Sequence, residues 1–312
     1  NTLSKNPFKE ISCLFRLFFL ILNSKSDLFV NFTIKPCVYF GLINLLLNKK
    51  SISMFDGLGR SFMKKNFFSK LMVNLLKISQ IKTKKIILVN KDDVNFFKKN
   101  KITLNLKKIE LLRAPGLNVN HFKFKNRIIN KNKKMVFSFI SRVIEEKGII
   151  YFLKSAEIIK KKYQADFFVM GKIEKKNIKN MITKFKEKKI IKYYKNQNNI
   201  KKKLLKSDCI ILPSYYREGL PRILQEANYL GRICITSNNV GCKDVIIDGF
   251  NGFLCKKKSV NDLIRNIKKV IKIKKRKLNI MEKNAHFFIK KNFDKDKINF
   301  QFLNIISNVI KI

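Results

Sequence analysis

From residue 135 onward the sequence alternates short apolar runs with lysine-rich amphipathic segments, and this alternation constrains the fold more than any other feature. The apolar runs lack the polar alternation of a half-exposed strand, so they predict strands buried on both faces. They are MVFSFIS (135–141), ADFFVMG (165–171), CIILPS (209–214) and ICITS (233–237). Helical patterns lie at about 149–162, 177–188, 199–207 and 221–230. Strands that alternate with helices predict right-handed crossovers and a parallel, doubly wound α/β sheet.

The first 120 residues show the same alternation less clearly. Strand candidates are LFVNF (28–32), SISMF (51–55) and KIILVN (85–90), and helical runs lie at about 8–22, 36–48, 62–79 and 92–99. A polar, weakly periodic segment, 114–134, separates the two halves. We therefore expect two Rossmann-like domains that face a cleft, over residues 1–130 and 131–312, with the last helix able to pack back on the first domain.

The charge of the chain admits more than one explanation. Lysine and arginine total 69 against 21 acidic residues, a formal charge of +48, but only ten of the cations are arginine. A dedicated phosphate or base reader favours arginine for its bidentate fork. We therefore favour an A/T-rich codon bias, which enriches Lys, Asn, Ile and Phe, over a nucleic-acid partner. Attraction to an anionic membrane surface is compatible with that bias.

The cysteines and histidines do not suggest a metal or redox site. The six cysteines show neither a C-x-x-C pair nor metal-ligand spacing, so they predict thiols in a reducing compartment. His121 and His286 lie near no partner that suggests zinc or a catalytic triad, and we expect surface or packing roles for both. The apolar run 13–22 is too short for a membrane span and lacks a signal-peptide cleavage site. We expect a cytoplasmic protein.

Two segments that follow predicted strands are candidates for a binding site. In SRVIEEKG (141–148), Arg142 and Lys147 lie between a strand and a helix start, where cations and free N–H groups suit a diphosphate. In YYREGLPRILQEANYLG (215–231), Pro221 suits the first helical position and Gly231 the helix end. Glu218 then lies ahead of the helix and Glu226 inside it. Taken alone, these residues could equally be solvated loop cations and surface acids.

A third segment, NNVGCKDVIIDGFNGFLC (238–255), places Gly241 in a loop after the next predicted strand. Its DG and NG pairs are typical of ordinary tight turns. The order of the three segments is more specific than any one of them. A strand-end Arg with a Lys five residues later, an E-G-x-P-x-x-x-x-E-A block and a glycine loop together resemble the C-terminal domain of family 4 glycosyltransferases, which have the two-domain GT-B architecture.

The resemblance covers about 135–258 and extends to TIKP (33–36), GLG (57–59), VN (89–90) and APGLNVNHF (114–122), which are similar to a bacterial subgroup that builds cell-surface polysaccharides on polyprenyl carriers. Asn118 stands where this family commonly has Asp. The chain begins at Asn1 in what resembles the middle of a Rossmann-type domain, so we expect an initial strand-helix-strand unit to be missing.

The resemblance implies a role for each site residue. Arg142 and Lys147 would hold the donor diphosphate, and Glu218 would contact the transferred sugar. The donor site would also include Gly219, Leu220, Pro221 and Gly241, while Glu226 would bind the ribose diol. It further implies a retaining hexosyltransferase that needs no metal or other cofactor. The donor would be a nucleotide-sugar, a UDP-sugar in our interpretation, and the acceptor a polyprenyl-linked saccharide at the inner membrane face.

Two alternatives remain at this point. The chain could be another GT-B sugar-phosphate enzyme, an epimerase or a phosphorylase. It could also be a non-catalytic basic module that binds nucleic acid or membranes, although signatures of the common RNA-binding modules and zinc fingers are absent from the sequence.

Overall fold

The structure is a computed structural model that describes residues 7–59, 62, 67–121, 134–195 and 200–311. Within these residues the contacts divide the chain into two compact units. Unit 1 comprises Asn1–Arg113 and Asn299–Ile312, and unit 2 comprises Ala114–Ile298. The boundary thus lies at the start of the polar segment 114–134, whereas the sequence analysis divided the chain at 130/131.

Unit 1 is built on a parallel four-stranded sheet with the strand order β1-β2-β3-β4. All five residues of β2, including the small polar Ser51 and Ser53, are buried, as is typical of a central parallel strand. The side chain of Asn90 caps α4 by accepting a hydrogen bond from the backbone N–H of Asp93 at 2.8 Å. The elements are α1 (Pro7–Leu22), β1 (Phe29–Phe32), α2 (Ile34–Leu47), β2 (Ser51–Phe55), α3 (Phe67–Ser79), β3 (Lys85–Leu88), α4 (Lys91–Lys99) and β4 (Ile109–Leu111).

Unit 2 contains a parallel six-stranded sheet with the strand order β10-β9-β8-β5-β6-β7. The elements are β5 (Met135–Ile140), α5 (Ile149–Lys160), β6 (Ala165–Met170), α6 (Lys176–Glu187), β7 (Lys192–Tyr194), α7 (Ile200–Lys206), β8 (Cys209–Leu212), α8 (Arg222–Tyr229), β9 (Ile233–Ser237), α9 (Cys242–Val245), β10 (Gly252–Cys255), α10 (Val260–Ile271) and α11 (Lys275–Asn292). The last helix, α12 (Lys295–Lys311), begins in unit 2, and its residues from Asn299 onward belong to unit 1. From β5 the chain first builds the sheet toward β7 and then returns to add β8, β9 and β10 on the other side of β5. This reversal makes the position between the neighbouring strands β5 and β8 a topological switch point.

The core of unit 2 lies around the central strands. All residues of β8 and β9 are buried, which accounts for the apolar runs CIIL and ICITS. Phe137 of β5 stacks on Phe167 of β6 with ring centroids 5.3 Å apart, and Phe152 of α5 meets the Phe167 ring edge-on at 5.8 Å. Aromatic pairs of this kind fix the separation of the sheet and its covering helix.

The predicted elements and the observed ones agree closely where the apolar pattern is long. The four strands and four helices predicted between residues 135 and 237 end within about two residues of the predicted bounds, as is usual for helix and strand ends. The lysine-rich run 269–278, interpreted as one solvated helix face, is instead divided between the end of α10 and the start of α11. Helix α1 contains the apolar run 13–22. Across the described ranges, no helix combines the length and apolarity that a membrane crossing requires.

Candidate active site

The candidate site lies at the carboxyl ends of β5 and β8, the two strands at the switch point. The segment after β5 forms a short 3-10 helix, Glu145–Lys147, immediately before α5. The loop after β8 leads through residues 213–221 into α8. Because ligands of doubly wound sheets bind in the crevice where the strand order reverses, both segments stand where a ligand is expected.

Lys147 and Glu218 meet at this point, although 71 positions separate them in the chain. The Lys147 ammonium nitrogen lies 2.7 Å from each carboxylate oxygen of Glu218. Only 13% of the lysine side chain and 7% of the glutamate side chain are exposed. The ammonium also lies 5.5 Å from the centre of the Tyr216 ring. Lys147 and Glu218 therefore form a nearly buried ion pair, and removal of either partner would leave an unpaired buried charge.

The two segments approach each other closely because one residue lacks a side chain. Gly148 has a φ of +86°, and a Cβ atom at this position would lie 2.1 Å from the carbonyl oxygen of Pro213. Glycine therefore permits both the left-handed backbone and the contact. The carbonyl of Glu146 accepts backbone hydrogen bonds from Tyr215 at 2.9 Å and from Tyr216 at 3.0 Å. These contacts hold Lys147 next to the loop that carries Glu218.

Helix α8 presents Glu226 to the same region. Pro221 is the residue before the first helical position, one place earlier than the sequence predicted. Glu226 is 8% exposed and accepts a hydrogen bond from Nε of Arg222 at 2.8 Å, one helical turn earlier. At the other end, Gly231 has a φ of +73° and its N–H donates to the carbonyl of Asn228, as in a Schellman motif. The helix boundaries thus follow the proline and glycine of the sequence.

Arg142 takes a different partner from Lys147. Its guanidinium lies 3.4 Å from a carboxylate oxygen of Glu174, and about half of its side chain is exposed. Arg142 nevertheless lines the same cavity as Lys147, Pro221 and Glu226. This cavity has a volume of about 510 Å³, and its other lining residues are Ile140, Ser141, Ile200, Leu212, Arg222 and Ile223. It combines cations, one carboxylate and an apolar wall.

Gly241 supports the loop rather than the cavity wall. It precedes α9 with a φ of +72°, and a Cβ atom there would lie 1.9 Å from the carbonyl oxygen of Gly219. The glycine loop predicted after β9 therefore touches the loop of Glu218 directly. Leu220, the neighbour of Gly219, is half-buried and accepts a hydrogen bond from Nε2 of Gln225 through its carbonyl.

Three residues of this region were not singled out from the sequence. The Ser214 hydroxyl donates to a carboxylate oxygen of Glu218 at 2.7 Å, and Arg222 binds Glu226. The Asn239 side chain donates to the carbonyl of Ser214 at 3.1 Å and to that of Tyr216. A polar residue two positions after a fully apolar strand is a signal that could have identified Ser214. The role of Asn239 depends on a contact between two loops, for which the sequence gives no such signal.

The other titratable groups near the site are structural. Burial, with a smaller contribution from the Glu218 charge, raises the pKa of the Cys242 thiol to about 12, so this thiol stays protonated at neutral pH. His286 is buried, with its ring centroid 4.5 Å from that of Tyr229, in agreement with a packing role. The His121 side chain lies outside the described residues. In the part of the chain that the structure describes, no three His, Cys, Asp or Glu side chains form a group able to hold a metal ion.

Comparison with known families decides the class of protein. Residues 120–287, more than half of the chain, match the family described as "Glycosyl transferases group 1". The chain belongs to this glycosyltransferase family. The resemblance found in the sequence is thereby confirmed, and the epimerase, phosphorylase and non-catalytic alternatives give way to glycosyltransferase activity.

This glycosyltransferase has relatives among characterised enzymes. It is 26% identical over 324 residues to the N,N'-diacetylbacillosaminyl-diphospho-undecaprenol alpha-1,3-N-acetylgalactosaminyltransferase of Campylobacter jejuni, covering 99% of this chain and 84% of that one. It is 31% identical over 204 residues to the UDP-Gal:alpha-D-GlcNAc-diphosphoundecaprenol alpha-1,3-galactosyltransferase of Escherichia coli, covering 62% of this chain and 52% of that one.

Solved structures support the fold of this glycosyltransferase. Anabaena Alr3699/HepE in complex with UDP matches with a TM-score of 0.79 at 16% identity, over 95% of this chain and 82% of that chain. A glycosyltransferase from Rickettsia africae matches with a TM-score of 0.75 at 20% identity, over 100% of this chain and 84% of that chain. The predicted fold class, Rossmann-like doubly wound domains of the GT-B type, is confirmed.

Proposed function

We propose that the protein is a retaining hexosyltransferase that moves a sugar from a UDP-sugar to a polyprenyl-linked saccharide during cell-surface polysaccharide synthesis. The observation that carries this proposal is the ion pair between Lys147 and Glu218 at the switch point. Lys147 lines the adjacent cavity together with Arg142 and Glu226. The names of the Campylobacter and Escherichia relatives specify diphospho-undecaprenol-linked acceptors, and the second also specifies a UDP-sugar donor.

Lys147 and Arg142 bind the donor diphosphate in this proposal. The bond between the anomeric carbon and the donor phosphate oxygen breaks, and negative charge grows on the departing nucleoside diphosphate. Cations placed where charge develops lower the barrier more than they stabilise the bound donor. The N-terminus of α5 adds free N–H groups and the positive end of a helix dipole. The phosphate charge is then met by protein groups without a divalent ion.

The carboxylates recognise the other parts of the donor. Glu218 contacts the transferred sugar, with the backbone of Gly219 and Leu220 beside it, because a buried carboxylate accepts strong hydrogen bonds from hydroxyl groups. Glu226 binds the ribose diol from helix α8. Pro221 fixes the start of that helix. Gly241 belongs to the donor site because its lack of a side chain lets the Glu218 loop keep its position.

We place the enzyme in the cytoplasm, bound peripherally to the inner face of the membrane where such acceptors would be reached. The surplus of lysine favours anionic lipid, at roughly 1 kcal/mol for each basic residue near the surface. Helix α1 adds exposed Phe8, Phe15 and Phe19 alongside the exposed cations Lys9 and Arg16. Sedimentation with anionic and neutral vesicles tests this location. Equal binding of the protein to both kinds of vesicle would contradict the proposed attraction of its basic residues to anionic lipid.

Isothermal titration of the protein with UDP, UDP-sugars and random-sequence DNA tests the donor assignment. We expect UDP and at least one UDP-sugar to bind, and Lys147→Ala to abolish that binding. Lys275→Ala is the matched control, since Lys275 is an exposed lysine at the start of α11. Binding of DNA at physiological salt without any binding of nucleotide would overturn the proposal.

Product analysis tests the transfer itself. A screen of UDP-sugars with undecaprenyl-diphosphate-linked saccharides should give one preferred donor. The anomeric configuration of the product, measured by NMR, should equal that of the donor. An inverted product would refute the retaining assignment while leaving the glycosyltransferase activity intact.

A further inference from the structure

Ser214 is fully buried in the loop after β8, next to the segment after β5 that carries Lys147. Its hydroxyl lies 2.7 Å from Oε1 of Glu218, the same oxygen that Lys147 contacts at 2.7 Å. The hydroxyl oxygen accepts a hydrogen bond from the backbone N–H of Tyr216 at 3.2 Å. An N–H donor on the serine oxygen leaves the hydroxyl proton available for the carboxylate. The single hydroxyl proton has two acceptors within reach, Oε1 of Glu218 at 2.7 Å and the carbonyl of Glu146 at 3.2 Å. The shorter contact, to a charged acceptor, is the stronger one, so Ser214 donates to Glu218.

The backbone around Ser214 is held from two directions. The carbonyl of Glu146, in the segment that carries Lys147, accepts hydrogen bonds from the backbone N–H groups of Tyr215 and Tyr216, which directly follow Ser214. The carbonyl of Ser214 itself accepts a hydrogen bond from the Asn239 side chain, in the loop after β9. A side chain whose backbone is fixed on both sides changes position little when a neighbouring side chain moves. The Lys147 side chain, by contrast, is a flexible four-carbon stem with a charged end.

We propose that Ser214 is a positioning residue that holds the Glu218 carboxylate in place when Lys147 turns from it to the donor diphosphate. This inference rests on the proposed function, in which Lys147 binds the diphosphate and Glu218 binds the transferred sugar. A phosphate that draws Lys147 away takes a cation from a nearly buried carboxylate. A carboxylate in that position needs fixed hydrogen-bond donors, because a nearly buried charge without them is costly.

Kinetics of two variants test the inference. Ser214→Ala removes the donor, and we expect kcat to fall by about 10- to 100-fold, the worth of a hydrogen bond to a charged group. The Kd for UDP should change by less than about twofold, because UDP carries no transferred sugar for Glu218 to bind. Ser214→Cys refills the volume with a weak donor, so its kcat should stay near that of the alanine variant.

The control is Ser138→Ala, which removes a fully buried serine of β5 whose hydroxyl pairs with that of Ser207 at 2.7 Å. It should leave both kcat and UDP affinity close to the wild-type values. Full recovery of kcat in Ser214→Cys would show that the side chain only fills space, and would overturn the inference. Loss of UDP affinity as large as the loss in kcat would do the same, since it would indicate collapse of the loop.

A crystal structure of the UDP complex tests the inference without turnover. We expect Lys147 to contact the diphosphate and the Glu218 carboxylate to stay within hydrogen-bond distance of Ser214. A carboxylate that leaves Ser214 together with Lys147 would refute the positioning role. Failure of UDP to bind the wild-type protein would refute the proposed function instead, which separates the two failures.

Discussion

Replacing Gly241 by alanine should damage the candidate site through a contact that the structure defines. The added Cβ atom would lie 1.9 Å from the carbonyl oxygen of Gly219 and 2.9 Å from that of Glu218. Since Cβ atoms essentially never approach other heavy atoms below 3.0 Å, the two loops must separate by about 1 Å. The atoms that must move are backbone atoms of the residues assigned to the transferred sugar.

Two costs add in this variant. An alanine in the left-handed region costs roughly 1–2 kcal/mol, and insertion of a methyl group into a packed contact costs roughly 1–3 kcal/mol. The alanine also restricts the unfolded chain, which offsets about 0.4–1 kcal/mol. We expect Gly241→Ala to lower the free energy of unfolding by about 1–5 kcal/mol on these values.

Gly249→Ala is the matched control. Gly249 has a φ of +73°, nearly the same as Gly241, but an added Cβ atom there would meet no heavy atom within 4 Å. It therefore carries the backbone strain without the contact. Urea unfolding followed by circular dichroism should show a clearly smaller loss for Gly249→Ala. Sugar transfer should fall in Gly241→Ala and persist in the control. Equal losses of stability and equal activity in the two variants would refute the contact argument.

Three other predictions follow from the site and its surroundings. Glu226→Gln should weaken UDP binding by about 1.5–3 kcal/mol, measured by calorimetry, whereas the exposed Glu187→Gln should not; an unchanged Kd in the first variant would reject the ribose role. Addition of EDTA should leave sugar transfer unaltered, and loss of transfer that Mg²⁺ restores would contradict binding of the diphosphate by protein cations alone. In the folded protein a thiol reagent at pH 8 should react rapidly with the exposed Cys13 alone, since the other five thiols are buried and the pKa values of four of them are raised by burial. Rapid reaction of more than one thiol would contradict this burial.

The central elements of unit 2 could be predicted from the sequence because their strands are buried on both faces. The runs of β5 and β9 contain at least five successive small or apolar residues, which leaves little ambiguity. The strands β4 and β7 have three residues each, IEL and KYY, and take their conformation from pairing with a neighbour. Local sequence does not contain that information, since tertiary contacts override propensity in such short segments.

For the candidate site, too, the sequence predicted some features and not others. The order of motifs along the chain predicted eight site residues, and four of them, Arg142, Lys147, Pro221 and Glu226, lie at the cavity wall. Glu218, Gly219, Leu220 and Gly241 lie in the neighbouring loops and are not among the residues that line it. The carboxylates that Lys147 and Arg142 contact could not be predicted from the sequence. Lys147 contacts Glu218 across 71 positions, and Arg142 contacts Glu174 across 32. Which carboxylate a lysine reaches depends on the register of two loops after different strands.

Helix α12 has a consequence for how this chain can be divided. It begins at Lys295 in unit 2, and from Asn299 onward its residues belong to unit 1. The polypeptide therefore leaves unit 1 at Arg113 and re-enters it inside a helix. In genetic terms unit 2 is an insertion within the coding region of unit 1. Exchange of unit 2 between related enzymes thus requires two junctions, and the second falls within a continuous helix, so the helical phase on both sides must be preserved.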